Sequence, residues 1–446
     1  MDCTPRPASF VRLVVLCGLL IAQLAFLPLL STSAQSTPEA SPVVEPAAEL
    51  TPYAWVQVGP DGVLSARVIV DGDCPALIAD DQSLPMTSRA PAASEAFPVS
   101  ICEATVPEGA TALTVSGQPL PAMSDQPRRI AIIGDTGCRA ETGDPFQSCN
   151  DPIAWPFATI AGQVAAFEPD LIIHVGDYLY REVACPDDNP GCAGSPYGDN
   201  WATWEADFFR PASAALPAAP WLFIRGNHET CSRAGEGWFH FLDPHAYPDA
   251  CLDYTDPYAF DVGAQRLVVL DSAIAADETS TPEETEMFRQ EFLDLAELTG
   301  DSAWLVTHKP IWGIIENKKG IQIEVDTETF ADAIDDVLPE SITVVFSGHI
   351  HLAQILDFNN GSGRPIQFVV GNSGTELDRN ITASLTGMEL DDKVLSYAET
   401  IERFGFMTLE PVDAGWVATE RGVDGSTGIS CLILGKGATC GMAHSD

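Results

Sequence analysis

Positive charge is what this sequence has least of. Its 446 residues carry 22 lysines and arginines against 64 aspartates and glutamates, a formal net charge of −42. So acidic a chain has nothing to neutralise a nucleic-acid backbone or an anionic membrane, and both drop out as docking partners. An anionic substrate would be repelled from the bulk surface, so any phosphate site needs local positive charge such as metal ions. No segment repeats another, which excludes solenoid architectures. Histidine is sparse, 8 in all, and the first 120 residues hold none, which leaves that region without a catalytic constellation.

What is present begins with a leader. Residues 1–34 place Arg6 and Arg12 before an apolar core and end in Thr32-Ser33-Ala34. This is the three-part layout of a secretory signal peptide with a small-x-small cleavage site. Its removal would make the charge balance one unit more negative. The expected location is secreted, periplasmic or cell-surface, with no stable membrane insertion after cleavage. Ten cysteines lie beyond the leader, and an even number in an exported chain reads as disulfides. Sequential neighbours give the simplest pairing: 74–102, 138–149, 185–192, 231–251 and 431–440.

Residues 35–50, rich in Pro, Ala, Glu and Ser, read as a flexible linker. Residues 51–120 show short β runs with turn punctuation, including a hairpin around Gly59-Pro60-Asp61-Gly62, and are expected to form a small β domain. From Arg128 strands alternate with helical stretches, and 128–415 are expected to form one large α/β catalytic domain. Residues 416–446 read as a C-terminal extension carrying Cys431 and Cys440.

The strands of the large domain end in metal-ligand types. "IIGDTG" delivers Asp135, "HVGDYLY" Asp177 and Tyr180, and "FIRGNHE" Asn227 and His228; "LVTHKP" delivers His308, and "FSGHIHL" His349 and His351. A lone aspartate after a strand is usually a turn residue, and a lone histidine, such as His174 within its strand, is usually structural. Five successive strand ends with oxygen and imidazole donors are another matter, because α/β sheets gather ligand sites at the carboxyl ends of strands. Imidazole and carboxylate suit Zn, Fe or Mn, and a phenolate calls for a hard, highly charged ion. Arg139, Arg181 and Lys309 stand beside these motifs as candidate phosphate contacts, with surface ion pairs as the alternative.

"GDTG", "GDYLY", "GNHE", "VTH" and "GHIH" resemble the five motifs of calcineurin-like metallophosphoesterases, and specifically of the purple acid phosphatase branch. The first motif of most of that superfamily ends in a ligating histidine; Gly137 stands there in this chain, and Tyr180 supplies the missing donor. The resemblance covers roughly Arg128 to Glu410. It implies a double β-sheet sandwich flanked by helices, the metallophosphatase fold, here preceded by the small β domain. It also implies two metal ions, Fe(III) with Fe(II), Zn or Mn. Asp135, Tyr180, His351 and a bridging Asp177 would hold the first; Asn227, His308, His349 and Asp177 the second. His228 would act on the phosphoryl group from outside the metal shell. Histidines expected downstream of "VTH" are missing: none lies between His308 and His349, and His240 and His245 read as loop residues.

The function these features imply is a secreted phosphomonoesterase of acid phosphatase type, acting on small phosphorylated substrates through a hydroxide held between two cations. Two alternatives stand beside it: a phosphodiesterase or nucleotide pyrophosphatase on the same metals, and a secreted binding protein that keeps metals structurally. Oligomeric state has no signature here.

Overall fold

A computed structural model describes residues 53–442, except 91, 93–94, 318–319, 323–326, 335–336, 359–360, 380, 382–383 and 391. The expected leader (1–34) and linker (35–50) lie outside the described residues. Two large sheets dominate. The central strands of the first, Ile130–Ile133, Leu171–His174 and Trp221–Phe223, are parallel neighbours. The second, of seven strands, has Ala303–Val306, Ile342–Ser347 and Ile366–Val370 as its parallel centre.

Side-chain alternation along these strands builds three apolar layers. Ile130, Ile132, Leu171 and Ile173 face the other sheet, where they meet Trp304, Val306, Phe346 and Phe368. Ala131, Ile133 and Ile172 face outward onto Phe157, Ile160 and Val164 of helix Phe157–Ala166. Val268, Leu305 and Val345 of the second sheet pack beneath Phe288, Phe292 and Leu295 of helix Pro282–Leu298. That helix starts where Thr281 and Glu284 form a reciprocal capping box: the Thr281 hydroxyl accepts from the Glu284 N–H at 3.2 Å, and the Glu284 carboxylate accepts from the Thr281 N–H at 2.9 Å. The result is the expected helix-flanked double sandwich.

Domain boundaries differ from the expectation. Strands Ala54–Val58, Leu64–Val70, Ser100–Thr105 and Thr87–Ala90 do not close a sheet of their own; they continue the first sheet beyond Trp221–Phe223. Of the described N-terminal strands, only 76–79, 82–85, 113–115 and 118–120 form a sheet of their own. The reason is burial. Every residue of Ala54–Val58 is buried, which needs cover on both faces and both edges. Buried Arg67 and Arg89 complete the join. Arg67 donates to the carbonyls of Phe241 (2.8 Å) and Asp243 (2.9 Å), and Arg89 to those of Asp243 (2.9 Å) and His245 (2.6 Å). At the other end, strands Gly415–Gly422, Thr427–Leu434 and Gly437–Met442 extend the same sheet through strand Gly405–Val412, so residues 416–442 are its edge rather than an appendage. All five sequential cysteine pairs are disulfides.

Candidate metal centre

The site lies where both sheets end their parallel strands. Asp135 and Asp177 follow adjacent strands of the first sheet, and Asn227 and His228 follow the third. His308 and the His349/His351 pair follow adjacent strands of the second sheet. Asp135, Asp177 and His349 all take left-handed backbone, with φ of 54°, 60° and 72°, a strain that persists only where the surroundings demand it. Glycines make the crowding possible. A Cβ on Gly226 would run into the Asp177 carboxylate, and one on Gly348 into that of Asp135.

Two buried carboxylates that no sequence motif marks, Glu229 and Asp207, hold the Asp177–Arg181 turn. Glu229 accepts from the N–H groups of Asp177 (3.2 Å), Tyr178 (2.9 Å), Leu179 (3.1 Å) and Gly226 (3.2 Å). Burial and the nearby Asp177 charge push its carboxyl up to about 8. Asp207 accepts from the N–H groups of Cys138, Tyr180 and Arg181 at 3.0–3.2 Å. The disulfides 138–149, 185–192 and 231–251 tie the loops that leave the first three motifs.

The donors converge with too few protons to satisfy them. The His308 Nδ1 donates to the Val175 carbonyl at 2.8 Å, leaving the Nε2 lone pair aimed at Asn227 Oδ1 (2.8 Å) and Asp177 Oδ2 (3.2 Å). The His351 Nδ1 donates to the Glu376 carbonyl at 3.2 Å, so its Nε2 lone pair faces the Tyr180 hydroxyl at 2.8 Å and Asp135 Oδ1 at 3.6 Å. That hydroxyl is also 2.7 Å from Asp177 Oδ2 and 3.2 Å from Asp135 Oδ1, one proton facing three acceptors. His349 brings Nδ1 within 2.9 Å of Asn227 Oδ1 and turns Nε2 to Asp277 at 3.3 Å. Burial lowers the pKa of both His308 and His351, the latter to about 4, so neither ring supplies the missing charge. Burial and the neighbouring Asp177 charge raise the Asp135 carboxyl well above its ordinary range. Burial, with Asp177 and Asp135 alongside, likewise drives the Tyr180 phenol well above its ordinary value. Lone pairs facing lone pairs at these distances are what a cation resolves, and the donor set fits two metal ions sharing Asp177.

The centre opens on the His349 and His351 side into a cleft of about 290 Å³. Ile315, Ile350 and Leu352 line it with Glu141, Glu316, Asp378 and the exposed Arg379. His228 stands at its edge: its N–H donates to Asp177 Oδ1 at 2.9 Å, and its Nε2 lies 3.8 Å from Asp177 Oδ2.

The three cations offered as candidate phosphate contacts, with ion pairs as the alternative, all form ion pairs. Arg181 is buried and paired with Asp207, because its side chain turns back into the protein. Arg139 pairs with Glu376 at 2.8 Å. Lys309 is buried against Asp277, the carboxylate that also meets His349. His174 is fully buried and hydrogen-bonded to Thr136 at 2.9 Å. His240, which lies on helix Gly235–Phe241 rather than in the expected loop and packs on Phe97, and His245, bonded to Asp243, stay outside the centre.

A two-sheet sandwich with paired clusters of oxygen and imidazole donors at its strand ends defines a metallohydrolase-type protein. Residues 128–353, half of the chain, match the calcineurin-like phosphoesterase family, and the chain belongs to it. Two curated relatives are plant enzymes from Arabidopsis thaliana. Purple acid phosphatase 15 is 24% identical over 277 residues, covering 57% of this chain and 47% of the relative. Purple acid phosphatase 23 is 22% identical over 295 residues, covering 61% and 58%. The chain thus spans about half the length of these relatives. Among solved structures the fold is similar to that of purple acid phosphatase PPD1 from yellow lupin (Lupinus luteus) seeds, with a TM-score of 0.54, 15% identity and coverage of 84% of this chain and 72% of that one. It is also similar to PhoD, with a TM-score of 0.56, 12% identity and coverage of 90% and 94%.

Proposed function

We propose that this chain is an exported, dinuclear metal-dependent phosphoesterase that hydrolyses small phosphomonoesters. The observation that carries the proposal is the convergence of proton-poor donors on two points that share Asp177. Asp135, Tyr180, His351 and Asp177 would hold one ion, Fe(III) by the demand of a phenolate; Asn227, His308, His349 and Asp177 would hold a second, Fe(II), Zn or Mn. Bound there, the ions would supply the positive charge and the activated water that a chain of net charge −42 otherwise lacks.

The chain's own groups do the rest. His228 offers Nε2 toward the same centre and can donate a hydrogen bond or a proton to the departing oxygen, a contribution typically worth about 10²–10⁴-fold. The apolar side of the cleft, Ile315, Ile350 and Leu352, keeps solvent from part of the bound ester, and its small volume suits a compact phosphate ester. Five disulfides agree with an oxidising compartment outside the cytosol, as the leader sequence suggests.

Metal analysis of the purified protein, paired with hydrolysis of nitrophenyl phosphate and bis-nitrophenyl phosphate, tests this reading. Two ions per chain, one of them iron, and faster turnover of the monoester are expected. A visible absorption band that Tyr180→Phe removes would assign the phenolate. Faster turnover of the diester would favour the phosphodiesterase reading, and no turnover of either would overturn the proposal.

A further inference from the structure

Beside the metal centre lies a second group of the same chemistry. Glu141, Glu182 and His228 bring one potential ligand atom each to within 4.8 Å of one another. A metal ion has no place among them, because Arg233 already fills the cluster. Its Nε donates to Glu182 Oε1 at 2.5 Å and its Nη2 to Glu141 Oε2 at 3.1 Å. Glu182 Oε1 is also 3.0 Å from His228 Nδ1.

The remaining contact decides what the arginine is for. Its Nη2 is 2.9 Å from the Nδ1 of His228 and 3.1 Å from the Nε2. An atom so close to both ring nitrogens must lie over the face of the ring, since in the ring plane it would collide with the carbon between them. The Tyr180 ring packs on His228 with centroids 3.7 Å apart, so the guanidinium takes the opposite face. The imidazole is clamped on both faces and held at Nδ1 by Glu182. Only Nε2 remains to face the centre.

We propose that Arg233 is a positioning residue for His228. Anchored by Glu182 and Glu141, it fixes the ring so that Nε2 meets the phosphoryl group or the leaving oxygen. The inference rests on the phosphoesterase reading. It also accounts for a histidine that works without the downstream histidines the sequence resemblance implied: a stacked guanidinium supplies the missing order around it. Precise placement of one reacting group is worth orders of magnitude in rate, and arginine's planar fork suits it to stacking and two-carboxylate anchoring at once.

The test combines kinetics with structure. Arg233→Ala, Arg233→Lys and Glu182→Gln are made alone and in the His228→Ala background. Metal content, kcat and KM are then measured on nitrophenyl phosphate and on an alkyl phosphate. Arg233→Ala should keep both metals and lower kcat on the alkyl ester roughly tenfold, with a smaller loss on nitrophenyl phosphate, whose leaving group needs little protonation. Glu182→Gln should follow the same pattern, and Arg233→Lys should recover part of the loss. In the His228→Ala background Arg233→Ala should cost nothing further. An equal loss with and without His228, or a rise in KM alone, would overturn the inference and make Arg233 a direct phosphate contact. A crystal structure of Arg233→Ala reads the clamp without reference to activity: the His228 ring should leave its present orientation, and an unmoved ring counts against the proposal. A wild-type protein inactive on both esters fails the phosphoesterase reading, while the ring position still tests the clamp.

Discussion

The two histidine–carboxylate clusters on either side of His228 are built from the same residue types and resolve their charge in opposite ways. Around Glu182 and Glu141 the chain inserts its own cation, Arg233, and every carboxylate oxygen named there has a donor. Around Asp177 no lysine or arginine among the described residues is inserted: beyond backbone N–H groups, such as that of His349 to Asp135 at 3.1 Å, the Tyr180 proton faces three acceptors and two imidazole lone pairs point inward. A buried anion unmatched by a cation is expensive. The difference therefore identifies which cluster is built for an external ion and which is finished as folded. A third solution appears at Asp199, whose carboxylate accepts from the Trp204 indole at 2.8 Å and has no cation among its hydrogen-bond partners. Burial pushes it up to about 6, so protonation removes its charge below that pH, and above it the Trp204 indole and the Gly237 N–H hold the carboxylate.

Each solution can be broken separately. Asp177→Asn removes the anion shared by both expected ions; metal content should fall at both positions and turnover by on the order of 10³-fold, read by metal analysis and phosphatase assay. Retention of both ions would mean that the cluster does not share Asp177. A smaller effect is expected at Asp277, which receives His349 Nε2 and is neutralised by Lys309. Asp277→Asn should weaken one ion by roughly 10–100-fold, as loss of a carboxylate behind a ligating histidine does, in a competition titration with a chelator, and excess metal should restore activity. Unchanged affinity would reduce Asp277 to a surface ion pair.

The smallest change concerns Asp199. Its folded pKa of about 6 exceeds the unfolded value, so the protonated form is favoured by folding. That stability is fully present below about pH 4 and is lost as pH rises through about 6. Asp199→Asn stays neutral throughout. Relative to wild type the variant should gain about 1–2 kcal/mol between pH 4 and pH 7, measured by urea midpoints at the two values. A constant difference would show that Asp199 is ionised in the fold at both.

The donors of the open cluster could be read from the sequence because each follows a strand, and a strand end is a position that the fold fixes. The residues that hold or neutralise those donors were less visible. Asp277, Glu182, Glu141 and Arg233 come from loops, and nothing local marks them. Sequence adjacency misled in the other direction: Arg181 follows Tyr180 directly, yet its guanidinium turns to Asp207, 26 residues on. Within "GNHE" the asparagine and histidine carry ligand-type donors, while nothing in the sequence marks Glu229, which ties four backbone N–H groups. The N-terminal strands were legible as strands but not as part of the main sheet, since alternation along a strand says which face is buried and not which edge has a neighbour.

That last join has a consequence for the order in which the molecule can be made. Strand Ala54–Val58 is among the first parts of the described chain to be synthesised, and its parallel neighbour is Trp221–Phe223. The carbonyl that Arg67 grips belongs to Phe241, 174 residues further along. Until the ribosome has added those residues, the buried strand has one flank open and an unsatisfied arginine behind it. The N-terminal region should therefore wait for the catalytic loops rather than fold ahead of them. A fragment cut at residue 120 would present the same open edge permanently, and so would a catalytic fragment begun at 128, each wanting the other as its missing strand.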